Sequence, residues 1–205
     1  MENVNWHHAA AIWHAAQHAD AFDYEKALDC FIKQQEKEYI YKAGVYWSVF
    51  DFDKGIDALI DFNDPDYIFR AGRSWKTFDD EKALSALIRS KSPRFIYYAG
   101  IEWKSFDYDA GTEALLNFRD IEFIFYAGAH WKKFDCDTGG RILIEAGHPE
   151  YIYKAGDQWE TFDYVNGWLA LETSMKKGTR WRGKAFENRK WKKALQKMWQ
   201  TASSS

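Results

Sequence analysis

The chain has 205 residues and a formal net charge of −3; 46% of its residues are apolar and 29% are charged. This balance excludes an intrinsically disordered chain, and no apolar run approaches the roughly 18 residues of a membrane span. The N-terminus lacks a secretory signal and the two cysteines make no disulfide framework, so we expect a cytoplasmic protein with reduced thiols.

Residues 1–38 are interpreted as an N-terminal cap with a divergent first repeat, in which alanines replace bulkier residues. His14 and His18 are four residues apart, so one helical face presents three imidazoles together with His7. A zinc site is one interpretation. A capping helix is favoured, because no cysteine or carboxylate motif completes a metal site. We therefore assign no metal and no cofactor.

Residues 39–174 hold five copies of a 28-residue repeat, without insertion or deletion. The copies begin YIYKAGVYW, YIFRAGRSW, FIYYAGIEW, FIFYAGAHW and YIYKAGDQW, and a Phe-Asp pair comes three residues after each tryptophan. An earlier, divergent copy around Phe22 and Asp23 makes six. Such a period predicts stacked structural units, each of which is too small to bury its apolar face alone.

Each copy predicts two short helices. Apolar residues such as Ile40, Ala43, Trp47 and Phe50 follow helical spacing, which predicts a first helix that reaches Phe50. The Asp after each Phe is a favoured N-cap for the second helix, and prolines at the start of first helices fit the same boundaries. A glycine recurs inside the first helix at a cost of about 1 kcal/mol, which predicts close approach of a neighbouring helix or a tryptophan ring. The recurrent tryptophans are expected in the core.

These signals predict an all-α fold, an α-solenoid of about six two-helix repeats with a basic helical cap. In architecture it resembles the HEAT and TPR families, although its period is shorter and their consensus residues are absent. The YIYxAGxxWxxFD repeat is also similar to arrays in uncharacterised phage and mobile-element proteins, over roughly residues 11–174. This resemblance implies no catalytic residue.

Residues 175–205 are interpreted as a basic, tryptophan-rich helix with a short disordered tail. Between residues 176 and 197 there are ten basic residues and one acidic residue, so this segment carries +9 and the rest of the chain −12. Basic side chains interleaved with aromatic rings can hold phosphates and stack bases, whereas the plainer interpretation is a capping helix with a solvated basic face. Contact with an acidic protein surface or an anionic membrane is a third interpretation. The candidate nucleic-acid-binding residues are Lys176, Lys177, Arg180, Trp181, Arg182, Lys184, Arg189, Lys190, Trp191, Lys192 and Lys193.

Known phosphate-loop, dinucleotide, nucleophile-elbow and paired-cysteine motifs are absent from the sequence, so we predict that the protein is not an enzyme. Positions that vary between copies are better candidates for binding, because repeat proteins place contact residues outside their framework. These candidates are Lys42, Arg70, Arg73, Tyr98, Glu102, Tyr126, His130 and Lys154.

The favoured function is therefore the binding of another protein, as an adaptor or an inhibitor, and one version is a phage-encoded inhibitor of a host or defence protein. Nucleic-acid binding through the basic C-terminal segment is the alternative. The sequence leaves the oligomeric state and the identity of the partner open.

Overall fold

The computed structural model describes residues 4–18 and 21–202, and for residues 175–179 and 201–202 it describes the backbone alone. In this part the chain forms helices and no strand, which confirms the predicted all-α class. The predicted C-terminal tail at 203–205 lies outside the described residues. The helices are α1 Ala9–His18, α2 Tyr24–Lys33, α3 Lys37–Tyr46, α4 Phe52–Asp61, α5 Pro65–Ser74, α6 Asp80–Arg89, α7 Pro93–Glu102, α8 Tyr108–Phe118, α9 Ile121–His130, α10 Cys136–Ala146, α11 Pro149–Gln158, α12 Tyr164–Thr173, α13 Met175–Glu187 and α14 Arg189–Ala202.

The helices form two compact units, Met1–Asp107 and Tyr108–Ser205. Within each unit every helix packs on the next helix of the chain. The first helices of successive repeats also pack together, α3 on α5 and α5 on α7 in the first unit, and α9 on α11 in the second. The second helices do the same, α4 on α6 and α10 on α12. This order of packing is that of an α-solenoid, as predicted.

The first residues of the helices repeat every 28 residues from α2 to α12. At five second helices the predicted N-cap is confirmed, since the Asp carboxylate accepts the backbone N–H three residues later at 2.9–3.0 Å. These caps are Asp23, Asp51, Asp79, Asp135 and Asp163. Prolines begin α5, α7 and α11, also as predicted.

The first helix of each repeat is shorter than predicted. In α3 the helix ends at Tyr46, and Trp47 is extended with ψ 140°, so the prediction of a helix to Phe50 is wrong for its last turn. The same extended tryptophan follows α5, α7, α9 and α11. The extended backbone allows the ring to reach the preceding repeat, where the Trp75 indole N–H donates to the Tyr41 carbonyl at 3.0 Å.

Glycines of the first helices make room for that ring, as Gly44 and Gly72 do in the first unit and Gly128 does in the second. A Cβ on Gly72 would lie 2.5 Å from Cε2 of Trp103, so alanine does not fit there without movement of the ring. The predicted close approach of a tryptophan is confirmed, as is its burial, because the five repeat tryptophans are at most 8% exposed. We call this glycine–tryptophan contact the tryptophan slot.

The first repeat departs from this arrangement. Ala16 occupies the position of the slot glycine, 28 residues before Gly44. The Trp47 ring stacks on the Trp13 ring of this repeat, with centroids 6.0 Å apart. Its buried indole N–H makes no hydrogen bond within the described part of the chain. At Gly44, the next copy of this position, an added Cβ would meet the nitrogen edge of the Trp75 indole, and we infer that the Ala16 methyl group keeps the Trp47 indole from the corresponding hydrogen bond.

The last two helices close the second unit as a cap. Trp191 of α14 fills the slot of Gly156, where its ring would lie 2.5 Å from an added Cβ, and its N–H donates to the Tyr153 carbonyl at 3.1 Å. Trp191 and Leu195 are buried together with Ala185 of α13. The basic C-terminal segment is thus a helical cap held by the same contact that joins the repeats.

Candidate partner-binding surfaces

Three of the predicted binding cations are held by their own helices. In each case the cation bonds to a carboxylate four residues earlier, at 2.6–2.7 Å, and lies over a tyrosine ring three residues earlier, at 5.3–5.9 Å from its centroid. The first helix brings these positions together because residues three and four apart share a face. The clusters are Glu38–Tyr39–Lys42, Asp66–Tyr67–Arg70 and Glu150–Tyr151–Lys154.

These ion pairs shift the affected groups toward their charged forms. The hydrogen bond from Lys42 lowers the pKa of the Glu38 carboxyl, and the same bond raises the pKa of Lys42. Lys154 likewise lowers the pKa of Glu150. Glu38, Lys42 and Glu150 therefore stay charged around neutral pH, and the ion pairs restrict the freedom of the cations.

In the fourth and fifth of the six repeats a tyrosine replaces the cation. Tyr98 lies beside Arg94, whose guanidinium is 5.8 Å from the centre of its ring. Tyr126 stacks on His130, with centroids 6.1 Å apart and an interplanar angle of 13°. Both tyrosines are half-buried, so each presents an edge to solvent.

Arg73 connects two successive repeats in the first unit. Its guanidinium bonds to Glu102 at 3.2 Å, and the two side chains are 50% and 35% exposed. Lys42, Arg70, Arg73, Tyr98 and Glu102 thus lie on α3, α5 and α7, which pack in that order. In the second unit Tyr126, His130 and Lys154 lie on α9 and α11. We call the five residues of the first unit the first-helix surface.

The basic candidates of the cap are mostly exposed. Arg180, Lys184, Arg189, Lys190, Lys192 and Lys193 face solvent, and Arg182 is half-buried. The side chains of Lys176 and Lys177 lie outside the described part of the chain. Among the described side chains, no carboxylate is within ion-pair distance of Arg189, Lys192 or Lys193.

The two cap tryptophans that were candidates for base stacking pack against other side chains of this protein. Trp191 is fully buried and offers no ring face to a base, so it is a packing residue. Trp181 packs on Tyr153 at 5.4 Å, and the Lys184 ammonium lies 4.5 Å from its ring centre. The cap therefore presents cations without the stacking platform that the sequence suggested.

The structure also shows an apolar surface that the sequence reasoning missed. Val165 and Leu169 of α12 are 47% and 51% exposed, and Phe186 and Trp199 of the cap are each 45% exposed. A signal was present in the repeat, because the position of Val165 is acidic in every earlier copy. Those acidic residues are Glu25, Asp53, Glu81, Asp109 and Asp137.

The thiol of Cys136 lines an open cavity of about 470 Å³ in the second unit. Burial, together with the charges of Asp137, Asp135 and Glu160, raises the pKa of this thiol, so it stays protonated at neutral pH and is a poor nucleophile.

The N-terminal histidines do not form a cluster of ligands. The His14 and His18 rings stack at 4.2 Å, and Nδ1 of His18 lies 2.8 Å from the His14 carbonyl. In the described part of the chain no three His, Cys, Asp or Glu side chains are grouped to hold a metal ion.

Among the helices described, none combines the length and apolar character that crossing a bilayer requires. No family model, no curated protein and no solved structure matches this chain.

Proposed function

We propose that this chain is a protein-binding repeat protein that acts as an adaptor or an inhibitor through its first-helix surface. The supporting observation is that Lys42, Arg70 and Lys154 occupy one repeat position, each held by a carboxylate and a tyrosine, while Tyr98 and Tyr126 occupy that position in the other copies. Arginine and tyrosine dominate protein interfaces, and pre-positioned side chains lose less entropy on binding.

The framework of the repeat supports the same proposal. Tryptophan slots and Asp caps define the fold of each copy, and neither contributes to the exposed variable positions. The variable side chains are therefore free to differ between repeats without a cost to folding, which suits recognition of one partner. In its most concrete form the protein is a phage-encoded inhibitor of a host or defence protein, a version that rests on the resemblance of the repeat alone.

An affinity-capture experiment tests this proposal. The wild-type chain is immobilised beside an Arg70→Ala/Arg73→Ala variant and a control, Lys33→Ala/Arg89→Ala, which removes the same charge from the ends of two second helices. We expect the wild type and the control to retain the same protein from a lysate, and the Arg70/Arg73 variant to lose it. Equal retention by all three chains, or retention of nucleic acid alone, contradicts the proposal.

Nucleic-acid binding through the cap is a second candidate, supported by the exposed cations that have no carboxylate beside them. Such binding acts through phosphates, so it falls steeply with salt concentration. Fluorescence anisotropy with labelled DNA and RNA at two salt concentrations tests it. An affinity that Arg189→Gln/Lys193→Gln leaves unchanged excludes the cap as the site.

A further inference from the structure

The outer face of α12 differs from that of every earlier second helix. Val165 replaces the acidic residue of the first turn, and Leu169 stands where the earlier copies have Asp29, Asp57, Ser85, Glu113 and Arg141. Val165 and Leu169 are one helical turn apart and about half exposed, so they form one apolar strip. The outer face of α12 therefore lacks the charged and polar side chains that the earlier second helices carry at these two positions.

Two aromatic rings of the cap are also exposed, each at 45%. Phe186 packs edge-on against Trp168, the neighbour of Leu169 in α12, with centroids 4.7 Å apart. Trp199 lies against Phe186, with centroids 6.0 Å apart. Exposed tryptophan and phenylalanine beside aliphatic side chains are typical of surfaces that contact another apolar phase. We call Val165, Leu169, Phe186 and Trp199 the apolar cap patch.

The cap cations Arg189, Lys192 and Lys193 lie on α14, which also carries Trp199 of this patch. Lys192 is two turns from Trp199 in the direction of the chain start, and Arg189 and Lys193 are four residues apart on one exposed strip. Positive charges at this spacing repel each other, and in the described part of the chain no carboxylate lies beside them to compensate. An anionic surface would relieve that repulsion.

The observations favour a lipid bilayer over the other anionic partners. A nucleic acid would use open ring faces, but Trp191 is buried, Trp181 is covered by Tyr153 and Lys184, and the two exposed rings, Phe186 and Trp199, pack against each other. Aliphatic side chains such as Val165 and Leu169 do not stack on bases. A second cap is disfavoured because two segments of net +9 would face each other.

We propose that the C-terminal cap docks on the surface of anionic phospholipid membranes, with Phe186, Trp199 and Leu169 entering the headgroup region and Arg189, Lys192 and Lys193 contacting lipid phosphates and carboxylates. Apolar insertion and a polybasic strip are the two signals that together give stable peripheral binding. This role is independent of the first-helix surface.

Vesicle flotation with the full chain tests the proposal. Phosphatidylcholine vesicles with and without phosphatidylserine are compared, and we expect binding to the anionic vesicles alone. Arg189→Gln/Lys193→Gln should weaken binding about tenfold or more. Trp199→Ser/Leu169→Ser should weaken it by about the same factor, because two half-exposed apolar side chains no longer insert.

Matched controls lie in the first unit. Lys33→Gln/Arg89→Gln removes the same charge, and Tyr46→Ser/Val49→Ser removes an aromatic and an aliphatic side chain that are 72% and 64% exposed. Both controls should bind like the wild type. All variants change exposed side chains, so equal melting temperatures verify that the fold is kept.

Absence of binding to anionic vesicles overturns the proposal, as does an equal loss in the control variants. Binding that depends on Arg189 and Lys193 but not on Trp199 and Leu169 also overturns it, because the cap would then be a general polyanion site. In that case labelled double-stranded DNA should bind with the same dependence on the two cations.

Discussion

A tryptophan that lies over a glycine of the preceding repeat is the contact that recurs most regularly in this protein. It accounts for a glycine in the middle of a helix, where helix propensity alone disfavours it. The sequence predicted the need for space at this position, but not which group filled it. The ring reaches this space because the backbone of the tryptophan is extended. The helical spacing of apolar residues does not indicate where a helix ends, so the sequence did not predict that conformation.

Gly72→Ala should destabilise the protein, because the new methyl group meets both Trp103 and Phe78, at 2.5 and 2.6 Å. We expect a loss of about 1–3 kcal/mol in the free energy of unfolding, measured by urea denaturation. Gly183→Ala is the control, since nothing lies within 4 Å of its added Cβ. That change should instead stabilise by about 0.5–1 kcal/mol. Destabilisation by both variants would contradict the slot.

Phenylalanine substitutions test the hydrogen bond of the slot separately from its packing. Trp75→Phe removes the N–H that bonds to the Tyr41 carbonyl, whereas Trp47→Phe removes a buried N–H that has no partner in the described part of the chain. Trp75→Phe should therefore cost about 1–2 kcal/mol more in unfolding free energy. Equal costs would show that the Trp47 donor is satisfied, and would remove the role assigned to Ala16.

Second helices begin after an Asp, and those from α2 to α10 are also followed by a residue in the left-handed conformation. The caps were predictable, because Asp follows Phe in every copy. The left-handed positions were not, since four of the five carry an ordinary side chain. They are Gln35, Asn63, Lys91, Arg119 and Gly147, with φ between 50° and 64°. Glycine occurs at one of these positions, so composition gave no indication of the conformation.

Lys91→Gly should stabilise the protein, because φ 51° is a strained conformation for lysine and an ordinary one for glycine. The expected gain in unfolding free energy is about 0.5–1 kcal/mol after the larger entropy of the unfolded glycine is included. Arg89→Gly, two residues earlier in the last turn of α6, should have the opposite effect. A loss of stability in both variants would argue against the left-handed cap.

Protonation of a cap aspartate should weaken its helix. The hydrogen bonds from Thr138, side chain first and then backbone, lower the pKa of Asp135. A lowered pKa in the folded state means that this contribution is complete above the ordinary pKa of an aspartate and is lost as the pH falls through the lowered value. Asp135→Ala should thus cost about 1 kcal/mol at pH 7, with a smaller cost in acid. Chemical denaturation at several pH values measures this, and a cost independent of pH would contradict it.

The tryptophan slot both joins repeats and attaches the cap to the last repeat. Trp191 occupies the slot of the last repeat, although the four extra residues in its spacing hid it from the repeat pattern. For this reason the sequence placed Trp191 among the binding residues, while the structure shows that it packs. The sequence reasoning missed the apolar cap patch because a valine and a leucine in a helix are common. Val165 and Leu169 are unusual only in comparison with the charged and polar residues at the same positions of the earlier copies.

Trp191→Ser and Trp199→Ser compare a buried packing residue with an exposed surface residue of the same helix, α14. Trp191 is fully buried, so its replacement should cost about 3–5 kcal/mol in unfolding free energy. Trp199 is 45% exposed, and its loss should have a much smaller effect. Thermal unfolding of the two variants decides this, and similar melting temperatures would mean that α14 does not close the second unit.

Hydrogen exchange of the chain with its captured protein partner is the most direct measure of the proposed function. Exchange rates of backbone amides are compared between the free chain and the complex. We predict slower exchange in α5 and α7, which carry Arg70, Arg73 and Tyr98, with unchanged exchange in α13 and α14. Slower exchange in the cap alone, with no change in the first helices, would contradict a partner that binds the first-helix surface.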